Sequence, residues 1–395
     1  MFNDNLSLAK FSYFPIKLCN PSFDSNLVKI IFEIERITNR PESNFLIFYE
    51  LREILFDIEM IYSVRIEGNN TTIGEFLDNK PEKNAEENFL GIVNLKELMN
   101  KIILAKSGNK DRSYFAKTES GILELHKNVV KNLSIPPKGD GDPNPGEYKK
   151  TDNQIGNSRH LPAMHELVPK LMTELLTFFN NKDEARYDYL KIAQFHHYFT
   201  WIHPFFNGNG RVARLITFAQ LAEISTNHFN FVNPAMIFGQ DKQLYYDFLA
   251  KADTGTEQGV LAWCEYFLGG VLRQFEKNQK LTDEKFLNSK ILFPALEWMR
   301  KRGKEKDRII DLLKFIIQNE YQIKSEDLNK FFGESKSTVF RSRTIKSLLN
   351  KKYLQKDSQN SRLYNLSLEN LVFRKAIIYE LAENDIIDKI FQNEL

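Results

Sequence analysis

In residues 43–66 the apolar side chains Phe45, Phe48, Leu51, Leu55, Ile58 and Tyr62 recur every three or four positions. Only an α-helix gathers that spacing on one face. Helical spacing returns over 26–38, 85–106, 116–132, 165–180, 187–202, 241–252 and 257–277, so a mainly α fold is predicted. The stretch 135–157, IPPKGDGDPNPGEYKKTDNQIGN, departs from it. Its prolines and glycines exclude a helix and leave a loop with room for one short hairpin. At ~150 residues per domain, 395 residues suffice for two or three domains. The predicted divisions are an N-terminal helical region (1–112), a core (113–277), a charged connecting segment (278–305) and a small C-terminal unit (306–395). Two cysteines, Cys19 and Cys264, exclude a disulfide framework or a cysteine-rich zinc site and fit a reducing, cytoplasmic setting. MFNDNLSLAK lacks the basic-then-apolar pattern of a leader, and no apolar run approaches ~18 residues, so no membrane span is expected.

Residues 203–214 read HPFFNGNGRVAR. Gly208-Asn209-Gly210 allows backbone angles that a β-carbon resists, so successive N–H groups can line an anion-binding concavity. A helix predicted from Arg211 to about Glu223 begins there and adds its positive dipole end. Arg211 and Arg214, three residues apart, supply permanent cations suited to phosphate, while Val212, Leu215, Ile216 and Ala219 form an apolar face. His203, neutral at pH 7 with an ordinary pKa of ~6.5, can take a proton beside that cradle. The combination suits transfer of a phosphorus-containing group to a hydroxyl. The amide oxygen of Asn207 offers one ligand to the Mg²⁺ that accompanies nucleotide phosphates. His196 and His197 receive no role beyond packing or solvation.

SVRIEGNN, residues 63–70, closes a helix. Ser63 and Glu67 share one face at i, i+4, and Gly68 is a natural C-terminal cap. A glutamate there faces the negative end of the dipole, which costs a few tenths of a kcal/mol and invites a cationic partner.

HPFFNGNGRVAR is similar, at every fixed position, to the Fic-family signature His-Pro-Phe-x-x-Gly-Asn-Gly-Arg-x-x-Arg. The resemblance implies a helical Fic core that transfers AMP from ATP, with Mg²⁺ or Mn²⁺, to a Tyr, Ser or Thr hydroxyl of a protein. It makes His203 the general base and gives the α- and β-phosphates to the Gly208–Gly210 backbone, Asn209 included. Arg211 would bind phosphate, Arg214 the γ-phosphate, and Asn207 stands at a metal position where many relatives carry an acid. GEYKKTDNQIG (146–156) resembles the family's hairpin flap, whose edge pairs with a target segment. Tyr245 and Tyr246 fall where relatives line the nucleoside site. Ser63-x-x-x-Glu67-Gly68 is similar to the family's inhibitory motif, which implies that Glu67 pairs with Arg214 and keeps the γ-phosphate out. In some relatives this glutamate also serves removal of AMP. Other readings stay open: a nucleotide-sensing DNA-binding regulator, or an enzyme using UTP or another diphosphate-containing donor. Self-modification and a homodimer are further partner options.

At the C-terminus, 307–318, 325–332 and 335–351 read as three short helices and 353–367 as two strands around a polar turn. That pattern predicts a winged helix-turn-helix. Residues 321–365 hold ten Lys/Arg and four Asp/Glu, a local +6 against +2 for the whole chain, which leaves −4 elsewhere. Lys336, Arg343 and Lys346 are placed on one face of the third helix and Ile345, Leu348 and Leu349 on the other. The basic face suits duplex phosphates; docking of proteins or dimerisation is the other option.

Overall fold

The computed structural model describes residues 11–38, 46–78, 86–105, 112–155, 160–181, 187–224, 232–333, 335–357, 360 and 362–395. Phe45, the Asn39-Arg40-Pro41 stop and Gly156 at the end of the flap lie outside them. The chain is mainly α-helical, with one three-stranded sheet. Among the described residues no helix is long and apolar enough to cross a membrane.

Two compact units are present, and sequence order does not separate them. The first comprises Met1–Pro41, Glu59–Thr71 and Pro81–Glu276; the second comprises Glu42–Ile58, Thr72–Lys80 and Lys277–Leu395. The helix predicted over 43–66 is observed as α2 (Leu46–Ile66), which follows α1 (Asn26–Thr38) and precedes the short α3 (Ile73–Asp78). The C-terminal part of α2, from Glu59, belongs to the first unit.

In the first unit follow α4 (Glu86–Leu104), α5 (Arg112–Lys117), α6 (Glu119–Val129), α7 (Val168–Asn180), α8 (Asp188–Ile202) and α9 (Asn209–Ile224). After them come α10 (Pro234–Gly239), α11 (Lys242–Ala252) and α12 (Glu257–Thr282). One helix expected over 116–132 is in fact two, because Thr118 caps α6 by accepting the Gly121 N–H at 3.0 Å. The helix α9 is the centre, packed by α4, α5, α6, α8 and α10. Every residue from Arg211 to Ala222 is buried, not only the apolar stripe expected. A helix enclosed all round holds its two arginines rigidly, which a surface helix would not.

The expected hairpin flap is not formed as a ladder: residues 135–155 hold turns and no strand among the described residues. Pro136, Pro137, Pro143 and Pro145 have no N–H to pair, and other donors are engaged elsewhere. The Lys149 N–H reaches the Pro204 carbonyl at 2.9 Å, and the Gly146 N–H reaches His126 Nδ1 at 3.0 Å.

In the second unit, the segment expected to connect domains (278–305) is helical over most of its length. The end of α12 leads to α13 (Glu284–Phe286), a π-helical turn (Leu287–Leu292) and α14 (Phe293–Lys301). Leu287, Ile291, Leu292, Ala295, Leu296 and Met299 are buried, a helical stripe that the surrounding charges concealed. Then come α15 (Asp307–Gln318), β1 (Gln322–Lys324), α16 (Asp327–Phe332), α17 (Thr338–Asn350), β2 (Leu354–Lys356), β3 (Leu363–Leu366) and α18 (Leu371–Glu383). The sheet is antiparallel in the order β1-β3-β2, with Ile323 opposite Tyr364 and Gln355 opposite Asn365. The strand β1, three residues long, and the buried helix α18 were not anticipated.

Candidate active site

The turn between α8 and α9 is built by its own residues. His203 ends α8 in the left-handed region (φ 54°, ψ 63°), an uncommon conformation for a residue with a side chain. Asn209 then brackets the loop, accepting the Phe205 N–H at 2.9 Å and donating to the Phe205 carbonyl at 2.8 Å. Gly208 has φ +78°, and a Cβ there would press on Val130 Cγ1 at 3.0 Å. The turn therefore arrives at the N-terminus of α9 in one fixed shape.

His203 is held in its neutral form by its environment. Burial, then Lys149 and His160, push its pKa down to about 3, against a hydrogen bond to Thr200. The ring is neutral at pH 7. Lys149 is itself buried, which lowers it to about 8, and its Nζ bonds Asn153 Oδ1 at 2.9 Å. Asn153 in turn donates to the Phe206 carbonyl at 2.8 Å. The segment expected to form the flap is thus tied to the 203–214 turn from both Lys149 and Asn153.

His126 and Asp142, not singled out from sequence, hold the other side. His126 stacks on Phe205 with centroids 3.7 Å apart. Its Nδ1 accepts from Gly146, so Nε2 carries the proton and faces the Asn207 carbonyl at 3.2 Å and Asp142 Oδ2 at 3.3 Å. Asp142 also accepts the Asn207 N–H at 2.9 Å. Asn207 Oδ1 is turned to the Gly208 N–H at 2.8 Å, and its Nδ2 donates to the Gly141 carbonyl at 3.3 Å. The expected metal ligand is therefore a strut of the loop. Among the described residues no group of three or more His, Cys, Asp or Glu gathers to hold a metal. One neutral oxygen already accepting a hydrogen bond fits a protein-held Mg²⁺ poorly.

The two arginines are both buried, at 3% and 2% exposure, yet differently engaged. Arg211 donates through Nη2 to the Asp140 carbonyl at 2.7 Å, while its Nε finds no acceptor among the described residues. Arg214 is engaged through Nε and Nη2. Its Nε meets Ser63 Oγ at 2.9 Å, and its Nη2 meets the Ser63 carbonyl at 2.8 Å and Glu67 Oε1 at 2.7 Å. Against the upward push of burial, Arg214, Arg211 and Lys242 hold the Glu67 carboxylate below its ordinary range. A Cβ on Gly210 would overlap Glu67 Oε1, so the carboxylate sits over the first turn of α9 itself.

Glu67 is delivered there by the way α2 ends. Gly68, at φ +99°, donates to the Arg65 carbonyl at 3.0 Å, and the Asn69 N–H reaches the Val64 carbonyl at 3.1 Å. These paired bonds form a Schellman cap with Glu67 as the last half-helical residue.

The structure treats the two tyrosines unequally. Tyr245 is buried, stacks on Phe238 and hydrogen-bonds His196 Nε2 at 3.1 Å, so it is a packing residue beneath Arg214 and not an open nucleoside contact. Tyr246 is 40% exposed, and its hydroxyl donates to the Ile66 carbonyl at the end of α2 at 3.3 Å. His196 and His197 are both buried. His196 spans Tyr245 and Thr217, and His197 bonds Asp253 at 3.0 Å.

This geometry has relatives. Residues 116–221 match the model of the Fic/DOC family. A protein adenylyltransferase Fic of Nematostella vectensis is 28% identical over 215 residues, which is 52% of this chain and 45% of that protein. A probable protein adenylyltransferase of Aquifex aeolicus is 34% identical over 107 residues, 27% of this chain and 30% of its own. The chain thus spans less than half the length of these curated relatives. The crystal structure of a Fic family protein from Desulfovibrio desulfuricans G20 superimposes with a TM-score of 0.53 at 20% identity, covering 90% of this chain and 98% of that one. Motif, helical frame and family match meet on one segment: residues 116–221, which hold the HPFFNGNGRVAR turn, are similar to the Fic/DOC family.

Proposed function

We propose that the chain is a self-inhibited protein adenylyltransferase, transferring AMP from ATP to a Tyr, Ser or Thr hydroxyl of a protein. The observation that carries this reading is the pairing of Glu67 with Arg214 over the first turn of α9, beside a neutral His203. With Glu67 displaced, the same turn presents backbone N–H groups, Arg211 and Arg214 to a triphosphate. The target oxygen attacks the α-phosphorus as the bond to the bridging oxygen of the β-phosphate breaks. His203 takes the hydroxyl proton, and pyrophosphate leaves. The arginines stabilise the charge on the phosphates. Mg²⁺ or Mn²⁺ bound to the phosphates would find at most the Asn207 oxygen on this chain. By the same reading Glu67 serves the reverse step, orienting water to remove AMP. Intact-mass measurement of wild type, Glu67→Gly and His203→Ala with ATP or UTP is the test. An AMP adduct on Glu67→Gly alone supports the reading; equal labelling of Glu67→Gly and wild type removes the inhibition.

A second reading concerns the other unit, as a winged helix-turn-helix that binds duplex DNA. The observation favouring it is that α17 has no acidic residue and exposes Thr338, Ser342, Arg343, Lys346, Ser347 and Asn350. Hydroxyls, an amide and cations on one helix suit base edges and phosphates. Lys336 is not among them: it precedes α17, and its ammonium lies over the rings of Phe332 and Phe340 at 5.5 and 5.6 Å. Binding to duplex DNA that weakens steeply with salt, and is lost in Arg343→Ala/Lys346→Ala, supports it; no binding at low salt removes it.

A further inference from the structure

Two turns before Glu67 on α2 stands Glu59, an acid that the mechanism does not use. Glu59, Ser63 and Glu67 follow at i, i+4 and i+8 and share one helix face. Glu59 is 3% exposed, and each of its carboxylate oxygens accepts one backbone N–H. Oε1 takes Ala235 and Oε2 takes Met236, both at 2.8 Å. Ala235 is the first free donor of α10, and the Met236 N–H is shared between Glu59 and the Asn233 carbonyl at 3.1 Å. Pro234 at its start has no N–H, and the cap residue Asn233 makes no side-chain cap bond, its Nδ2 lying instead 3.3 Å from Met236 Sδ. A glutamate from another helix therefore does what an N-cap residue ordinarily does.

The rest of α10 and α11 completes the seat. At the far end of α10 a Cβ on Gly239 would overlap the ring of Tyr62. On α11, Tyr246 holds the Ile66 carbonyl. The last two turns of α2 are thus fixed at one end by Glu59 and at the other by Arg214. Cutting either end frees the same rigid segment.

We propose that Glu59 is a positioning residue for inhibition: by capping α10 it sets how firmly α2 presents Glu67 to Arg214. The inference rests on the self-inhibited reading above. Loss of one Glu59 acceptor raises the fraction of molecules with Arg214 open to ATP; the Glu59 charge also acts on Arg214, and Glu59→Asp, which keeps that charge, separates the two effects.

The test compares AMP incorporation by the full chain as wild type, Glu59→Gln, Glu67→Gly and the double variant, with ATP and metal fixed. Glu59→Gln keeps shape and loses one acceptor. It is expected to raise transfer about tenfold, the scale of one hydrogen bond to a charged group. In the Glu67→Gly background it is expected to change nothing, since there is no longer a carboxylate to present. Amide exchange at Ala235 and Met236 should quicken in Glu59→Gln with the melting transition retained. Should Glu59→Gln unfold, Glu59→Asp, which keeps the charge and shortens the reach, is expected to give a smaller gain of the same sign. Transfer at the wild-type rate in both Glu59 variants, or an equal loss in both backgrounds, overturns the inference. If Glu67→Gly itself transfers no faster than wild type, the inhibition reading fails first. If it does and the Glu59 variants do not, only the role of Glu59 is lost.

Discussion

The turn 203–214 has two ends in opposite conditions. At its first residue His203 is neutral, with Lys149 and His160 as the charged groups that act on it among the described residues, so its unprotonated state is present already. At its last, Arg214 is bound through Nε and Nη2 by Ser63 and Glu67. The difference teaches where control is exerted. Under the proposed function, the seat for the nucleotide is withheld while the base stays unprotonated. An inhibitor that lay on His203 would have to be remade for each target; one on Arg214 is indifferent to the target.

The sharpest way to break this contrast is at the ready end. His203→Ala is expected to lower AMP transfer by about 10²- to 10⁴-fold, the usual weight of a general base, and by the same factor with Glu67→Gly present. A background-dependent loss, read from initial rates of AMP incorporation, would mean that the two ends are coupled. At the withheld end, Glu67→Gly is expected to raise transfer about 10- to 100-fold, the scale of a charge-assisted hydrogen bond released. It should also tighten ATP binding measured calorimetrically. Ser63→Ala removes only the hydroxyl on Arg214 Nε and leaves the Ser63 carbonyl in place, so a gain of about three- to tenfold is expected. Asn207→Asp is a smaller test of the loop strut. An added carboxylate beside Asp142 should lower the melting temperature while lowering the Mg²⁺ concentration for half-maximal transfer; a variant with unchanged metal dependence would keep Asn207 purely structural.

The smallest effect is on stability against pH. Burial pushes the Glu59 carboxyl up to about 7, against its two N–H bonds and Arg214. Because the folded pKa is raised, the folded chain holds a proton that the unfolded chain has released between about 4.5 and 7. The stability margin of wild type over Glu59→Gln should therefore shrink as pH rises through that window, by at most about 1.4 kcal/mol per unit, in denaturant titrations. A margin that widens would reverse the assignment.

Much of this was legible in sequence where the signal is local. The spacing of Phe48, Leu51, Leu55 and Ile58 reads directly as α2, and the Gly-Asn-Gly turn reads as the start of α9. Ser63 and Glu67 were also readable, since a carboxylate at a helix C-terminus asks for a partner. What could not be read is where distant donors go. Glu59 meets Ala235 across 176 positions, and His126 meets Asn207 across 81, with no local irregularity to mark either. One trace did exist: an acid among the apolar residues Ile58, Met60 and Ile61 of α2, in phase with Ser63 and Glu67. The flap failed as a hairpin for a reason partly visible, the four prolines just before it, and partly not, the engagement of its Gly146 and Lys149 N–H groups by His126 and Pro204; the helical stripe of 287–299 was hidden by the lysines and glutamates around it.

Gly210 carries no β-carbon. The missing β-carbon leaves one vacancy at the head of α9, and Glu67 Oε1 fills it. A side chain at 210 that turned the glutamate away would occupy the space a phosphate needs, so lock and keyhole cannot be altered separately from this side. Variants that escape restraint and still transfer should therefore arise on α2 or its supports, and almost never on the turn. A selection for gain of activity would map the restraint without any foreknowledge of it, as a cluster of substitutions far in sequence from the residues that do the chemistry.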